Sequence, residues 1–131
     1  PNVILAVQLP NNMDEPFYRV LDEMTKDEKW GFTEYETNDT LPPENYFDIL
    51  SACASRFAIW ETVYYHAMPS VDALIEWVKG ARLRPFLRQM NEAMQKSFEA
   101  ELFQKTLPLY RPMKNGEIIF RFRRLIFIAH K

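Results

Sequence analysis

The segment Val3 to Leu9, Val-Ile-Leu-Ala-Val-Gln-Leu, is almost unbroken apolar and rich in branched side chains. Such a run predicts a strand covered on both faces and paired on both edges, as in the middle of a parallel sheet. Nothing before it in the chain could lie along one of those edges. A flat, apolar, uncovered edge is an aggregation hazard that native proteins avoid. The expectation is that this strand was built for neighbours that the 131 residues do not supply.

Pro10-Asn11-Asn12 stops the run, and Asp14 is the expected cap of a helix whose apolar side is Phe17, Val20, Leu21 and Met24. A strand followed at once by a helix is half of a βαβ unit. Residues 29–43 show no apolar period and contain Gly31, Pro42 and Pro43, so they read as a loop long enough for a lid or binding segment. From Glu44 to about Ala54 a helix is expected, with Tyr46, Ile49, Leu50 and Cys53 on one stripe and Cys53 as a small buried apolar residue. Phe57 to Met68 reads as a long strand. Alternation places Trp60, Thr62, Tyr64 and His66 on one face, and Ile59, Glu61, Val63 and Tyr65 on the other.

Pro69-Ser70 opens a further helix through Lys79, with Leu74, Trp77, Val78 and Ala81 aligned and Gly80 placed to end it. Arg84-Pro85 begins a second helical region, carrying Leu87, Met90, Met94 and Phe98, that runs to about Leu107 with a possible break near Asn91. Asn115-Gly116 makes a turn, and Glu117 to His130 closes the chain as a strand. Strand, helix, loop, helix, strand, helices, strand is an α/β or α+β order with a thin three-stranded sheet.

Sixteen Lys plus Arg stand against eighteen Asp plus Glu, a formal charge of -2, so a nucleic-acid footprint is not expected. No stretch reaches the roughly 18 apolar residues of a membrane helix, and no basic-then-apolar leader opens the chain. The single cysteine cannot form an internal disulfide, which fits a reducing, cytoplasmic setting. His66 and His130 are far apart, without the ligand spacing of a zinc site, and no nucleophile has an evident base. No metal and no catalytic triad is therefore expected. Two basic clusters remain. Arg121, Arg123 and Arg124 form either an ion-paired or solvated strand face or an anion site, since guanidinium groups grip carboxylates in bidentate fashion. Lys79, Arg82, Arg84 and Arg88 surround a helix junction, with Trp77, Tyr64 and Tyr65 as candidate aromatic walls. With the polar turn Gln8, Asn11 and Asn12, these could line a pocket for a small acid beyond the carboxyl end of the first strand.

Leu5-Ala-Val-Gln-Leu-Pro-Asn-Asn with Glu15-Pro16 resembles the fifth-strand segment of the trans-aconitate 2-methyltransferase family. The resemblance continues through Tyr46-Phe-Asp-Ile-Leu50, Ile59-Trp-Glu-Thr-Val-Tyr-Tyr-His66, Ile75-Glu-Trp-Val-Lys-Gly80, Leu83-Arg-Pro-Phe-Leu87 and Phe122-Arg-Arg-Leu-Ile-Phe-Ile-Ala129. Gaps fall in residues 29–43 and 100–115. Before Leu83, where the family has Thr-Gly, this chain has Ala81-Arg82.

The resemblance implies the C-terminal half of a class I methyltransferase, a Rossmann-like α/β fold, with about three strands in a mixed sheet plus inserted cap helices. Residues 1–28 would be strand five and its helix, 29–43 a loop, 44–68 a helix and strand six, 69–112 a helical cap insertion, and 113–131 strand seven. The strands would lie in the order five, seven, six, with the seventh antiparallel. The implied activity is methyl transfer from S-adenosylmethionine to a carboxylate oxygen, giving a monomethyl ester of a small acid such as trans-aconitate. The glycine-rich cofactor turn is expected to be missing, since Gly31, Gly80 and Gly116 are far apart, and the chain alone is expected to be inactive. No residue is assigned a catalytic role. Gln8, Asn11, Tyr64, Trp77, Arg84 and Arg123 are the substrate-side candidates. Other readings are a freestanding binding module, or a methyltransferase for another carboxylate. Self-association through the first strand is the expected behaviour of the chain alone.

Overall fold

The computed structural model describes residues 2–35 and 40–131. Contacts divide the chain into two compact units, one of residues 1–12, 38–64 and 121–131, the other of residues 13–37 and 65–120. Three strands, β1 (Ile4–Pro10), β2 (Arg56–Met68) and β3 (Ile118–His130), form one sheet in the order β1-β3-β2. β1 runs antiparallel to β3, with Val7 opposite Phe127 and Leu9 opposite Leu125. This is the order expected of strands five, seven and six. The sheet is antiparallel rather than mixed, because β3 separates the two strands that share a direction.

In the first unit, alternation sends one set of strand side chains toward the helix α1 (Pro43–Cys53). Leu50 of that helix is buried with Phe127 and Ala129, and Val7, Leu9, Tyr46, Ala54, Phe57 and Ile59 pack against them. Tyr46 and Leu50 of this helix and Ala54, which caps its end, recur every fourth position, a narrow contact line. Ile49 and Cys53 fall off it: Ile49 is half exposed, and Cys53 is exposed and free, its thiol donating to the Ile49 carbonyl at 3.0 Å. The expectation of a buried cysteine is thus corrected.

Among the described residues β1 lacks the second neighbour that its apolar run calls for. It lies at the margin of the three strands, and Val3, Ile4 and Leu5 are each more than half exposed. Among the described residues no strand is left to pair with its outer edge.

The second unit is helical: α2 (Pro16–Lys26), α3 (Val71–Lys79), the short α4 (Arg84–Leu87) and α5 (Glu92–Thr106). Phe17, Val20, Leu21 and Met24 of α2 are buried as their spacing predicts, and α5 packs against both α2 and α3. Phe98 and Leu102 of α5 are wholly buried, with Trp30 and Phe32 edge-on to Phe98 and Phe86 against Phe32. α2 begins at Pro16, whose fixed φ suits the first helical position, with Glu15 rather than Asp14 as its cap residue. Asp14 instead makes an exposed ion pair with Arg19.

Ser70 caps α3 by accepting from the Ala73 N–H, and Asn91 caps α5 by accepting from the Met94 N–H, which places the break where the sequence reading has it. Gly80 ends α3 in an ordinary right-handed conformation, so its freedom is not needed there. Gly116 does need it: at φ 88° it closes the turn in which the Met113 N–H donates to the Glu117 carbonyl ahead of β3. The segment after Gly31 is held by Gln89, whose side chain accepts from the Thr33 and Glu34 N–H groups and donates to the Glu34 and Pro85 carbonyls.

Candidate functional site

The carboxyl end of β1 is where two of the polar candidates of the first unit, Asn11 and Arg123, meet. The β1–β3 ladder reaches Pro10 opposite Arg124, and Pro10 has no N–H to donate. One residue on, the Asn11 N–H donates to the Arg123 carbonyl at 2.9 Å. The Arg123 N–H donates in turn to the side-chain Oδ1 of Asn12 at 2.8 Å. Both sides of the Arg123 backbone are therefore tied to the exit of β1. The Asn11 amide also reaches Glu61 of β2, a long contact of 3.4 Å to Oε1.

Arg123 is half-buried, and no ion pair or hydrogen bond of its guanidinium is found among the described residues. A fixed arginine with open donors can take a carboxylate in the two-bond geometry that gives guanidinium its selectivity. Arg123 and Asn11 are thus brought together. Gln8 lies on β1, opposite Ile126 and exposed, and Tyr64 is 45% exposed on β2.

Trp77 and Arg84 belong to the other unit. Trp77, 49% exposed, sets its ring edge-on to Phe120 and near His66. Arg84 is exposed at the start of α4. Of the basic cluster around it, Lys79 is already engaged. It bonds Glu76 at 2.6 Å and Glu99 at 2.8 Å, and the hydrogen bond to Glu76 foremost holds its ammonium pKa above the usual value. Arg82 lies over the Tyr18 ring at 4.9 Å. These two therefore stabilise the helical unit and are poor candidates for gripping a free acid.

Two concavities among the described residues bear on the site. One, of about 430 Å³, is lined by Pro43, Phe47, Trp60 and Leu125 with three carboxylates, Glu44, Asp48 and Glu61. Its charge opposes binding of a polyacid. The other, of about 700 Å³, carries Arg111 and Lys114 beside Asn115 and Glu117. The sequence reading does not select either cation, and a basic pair just ahead of the Asn-Gly turn is the signal that marks them.

The same reading also misses a buried polar contact. The Tyr110 hydroxyl donates to Glu15 Oε1 at 2.8 Å and accepts from the Phe17 N–H at 3.1 Å, with both side chains buried. Burial above all pushes the Tyr110 phenol well above its ordinary pKa.

Class I methyltransferases hold their cofactor at a glycine-rich turn between a strand and a helix N-terminus. The turn from β1 to α2, Asn11 to Glu15, contains no glycine. Gly31 follows a 3₁₀ turn, Gly80 ends α3, and Gly116 lies in the turn before β3. The three glycines thus stand apart from one another among the described residues. Among those residues no group of three His, Cys, Asp or Glu could hold a metal, and no helix is long and apolar enough to cross a membrane.

No family model matches the chain. Curated proteins do. The trans-aconitate 2-methyltransferase of Yersinia pestis (strain Pestoides F) is 36% identical over 134 residues, covering 99% of this chain and 52% of the relative. That of Rhodopseudomonas palustris (strain BisA53) is 38% identical over 135 residues, covering 100% and 53%. The chain spans about half the length of the curated relatives it matches. Matched from end to end at this identity, and with the strand order that the resemblance implies, the chain is similar throughout to a stretch about half the length of these trans-aconitate 2-methyltransferases.

Proposed function

We propose that this chain is the C-terminal half of a cytoplasmic S-adenosylmethionine-dependent O-methyltransferase, one that forms a monomethyl ester of a small carboxylic acid such as trans-aconitate. The observation that carries this reading is the end-to-end match to proteins bearing that name. Residues 1–28, 44–68 and 113–131 then supply strands five, six and seven with two helices, 29–43 supply a loop, and 69–112 supply the inserted helical cap segment.

Esterification needs no general base, because a carboxylic acid is already ionised at neutral pH. What it needs is alignment of one carboxylate with the methyl carbon and neutralisation of the others. In our reading Arg123 anchors a spectator carboxylate with Gln8, Asn11 and Tyr64 of the same unit, and Trp77 and Arg84 are the substrate-side candidates of the other unit. The cofactor, which supplies the methyl group, is held by the remainder of the protein, and this chain alone transfers no methyl group. With that edge of β1 unpaired, the chain alone associates through it.

The test is transfer of labelled methyl from S-adenosylmethionine to trans-aconitate and a panel of other small acids by the protein carrying both halves. Label in a base-released methyl ester is expected, with highest kcat/KM for a polycarboxylate. Arg123→Ala should raise the acid's KM by roughly ten- to a hundredfold, the worth of a charged hydrogen-bond pair. Transfer to none of the acids would refute the activity, and an unchanged KM would remove Arg123 from the site.

A further inference from the structure

We infer that Asn12 is the positioning residue for Arg123: its side chain takes the place of a missing strand residue and so fixes the direction in which the arginine leaves the sheet. The inference rests on the reading of Arg123 as an acid anchor and adds to it a residue that touches no substrate.

In an antiparallel ladder each N–H along the strand needs a carbonyl opposite. β1 ends at Pro10, and the chain must turn away to begin α2 at Pro16. Beyond that end the Arg123 N–H would have no carbonyl to meet. Asn12 Oδ1 meets it instead at 2.8 Å, while the Asn11 N–H holds the Arg123 carbonyl at 2.9 Å. Asparagine is suited to this task, since its short amide can stand in for a peptide group.

Asn12 is 3% exposed, and its other amide atom, Nδ2, is buried without a partner. A buried unpaired donor weakens a fold, so the residue is poorly chosen for stability alone. Threonine would accept the same bond through its hydroxyl without stranding an amide N–H. The guanidinium it serves has no ion pair of its own among the described residues to orient it, so its direction depends on its backbone. A group held in place before the acid arrives loses less freedom on binding.

Three variants test this: Asn12→Ala, Asn12→Asp, which keeps an acceptor at the Oδ1 position, and Arg123→Ala. The first readout is amide hydrogen exchange at Arg123 in the 131-residue chain. Exchange should quicken up to about tenfold in Asn12→Ala and return toward the parent rate in Asn12→Asp. The second is steady-state methylation of trans-aconitate by the protein carrying both halves. Asn12→Ala should raise the acid's KM roughly fivefold or more while kcat and the KM for S-adenosylmethionine stay within about twofold.

Unchanged exchange in Asn12→Ala overturns the proposal. So does quickened exchange with an unchanged KM for the acid, which would make the bond structural only. If Asn12→Ala does not fold, Asn12→Asp decides: parent-like exchange and KM support the acceptor role, and loss of either overturns it. Failure of the underlying reading has a separate signature, an Arg123→Ala enzyme whose KM for the acid is that of the parent, and it overturns this inference as well.

Discussion

Replacing Tyr110 by Phe removes one oxygen and leaves two buried groups without a partner. The phenol donates to Glu15 Oε1 at 2.8 Å and accepts from the Phe17 N–H at 3.1 Å; Phe17 is fully buried, Glu15 6% exposed and Tyr110 5%. Each stranded buried group costs about 1–3 kcal/mol, with the carboxylate at the upper end, so the loss should be about 2–5 kcal/mol. Against a total stability of about 5–15 kcal/mol that is a large fraction. Urea denaturation followed by circular dichroism should show the midpoint falling by roughly 1–3 M at an unchanged slope. Alkaline pH provides a second reading of the same bond. Burial raises the Tyr110 pKa above its usual 10.0, so above that pH the unfolded chain releases the proton and the folded chain keeps it. The contribution is complete below pH 10 and declines as pH rises, by about 1.4 kcal/mol per unit, and Tyr110→Phe should lack that part of the decline. A loss under about 0.5 kcal/mol, within the range of ordinary surface changes, with an alkaline slope equal to the parent's, would refute the reasoning.

Ile4→Lys places a charge on the exposed outer strand, and light scattering should show the chain shifting from associated species toward monomer; a parent chain already monomeric at high concentration would contradict the proposed association through β1. Cys53, exposed on α1, should react with a thiol reagent in the folded chain within a factor of about ten of its rate in denaturant, whereas protection of several orders of magnitude would place it inside.

Much of the fold is legible because its elements are amphipathic. Phe17, Val20, Leu21 and Met24 repeat at helical spacing and are all buried, and the Asn115-Gly116 turn adopts the positive φ its glycine permits. Where the reading slipped, the cause is local competition. α1 contacts the sheet along a single line of fourth residues, so Ile49 and Cys53, one place off that line, look internal by pattern and are exposed. Pro16 sets the start of α2 one residue later than the more familiar cap, Asp14, would.

The site is less legible than the fold. Residue types alone place Arg123, Asn11 and Asn12 among the candidates. That Asn12 serves the Arg123 N–H, 111 positions away, is a matter of tertiary pairing that no spacing rule carries. The same applies to Lys79, which looks available in the sequence until Glu99 of α5 is brought against it. β1 is the reverse case: its apolar run reads as a central strand, and within these residues it is an edge. The match to about half of each relative's length gives that disagreement its meaning in our account, with the other half supplying the missing neighbour.

Titration calorimetry of S-adenosylmethionine into the 131-residue chain, and into the protein carrying both halves, tests that division of labour most directly. The account predicts no binding tighter than roughly 100 μM (about -5.5 kcal/mol) by the chain alone, and measurable micromolar binding by the whole. Equal, tight binding by both would place the cofactor site within these residues and contradict it.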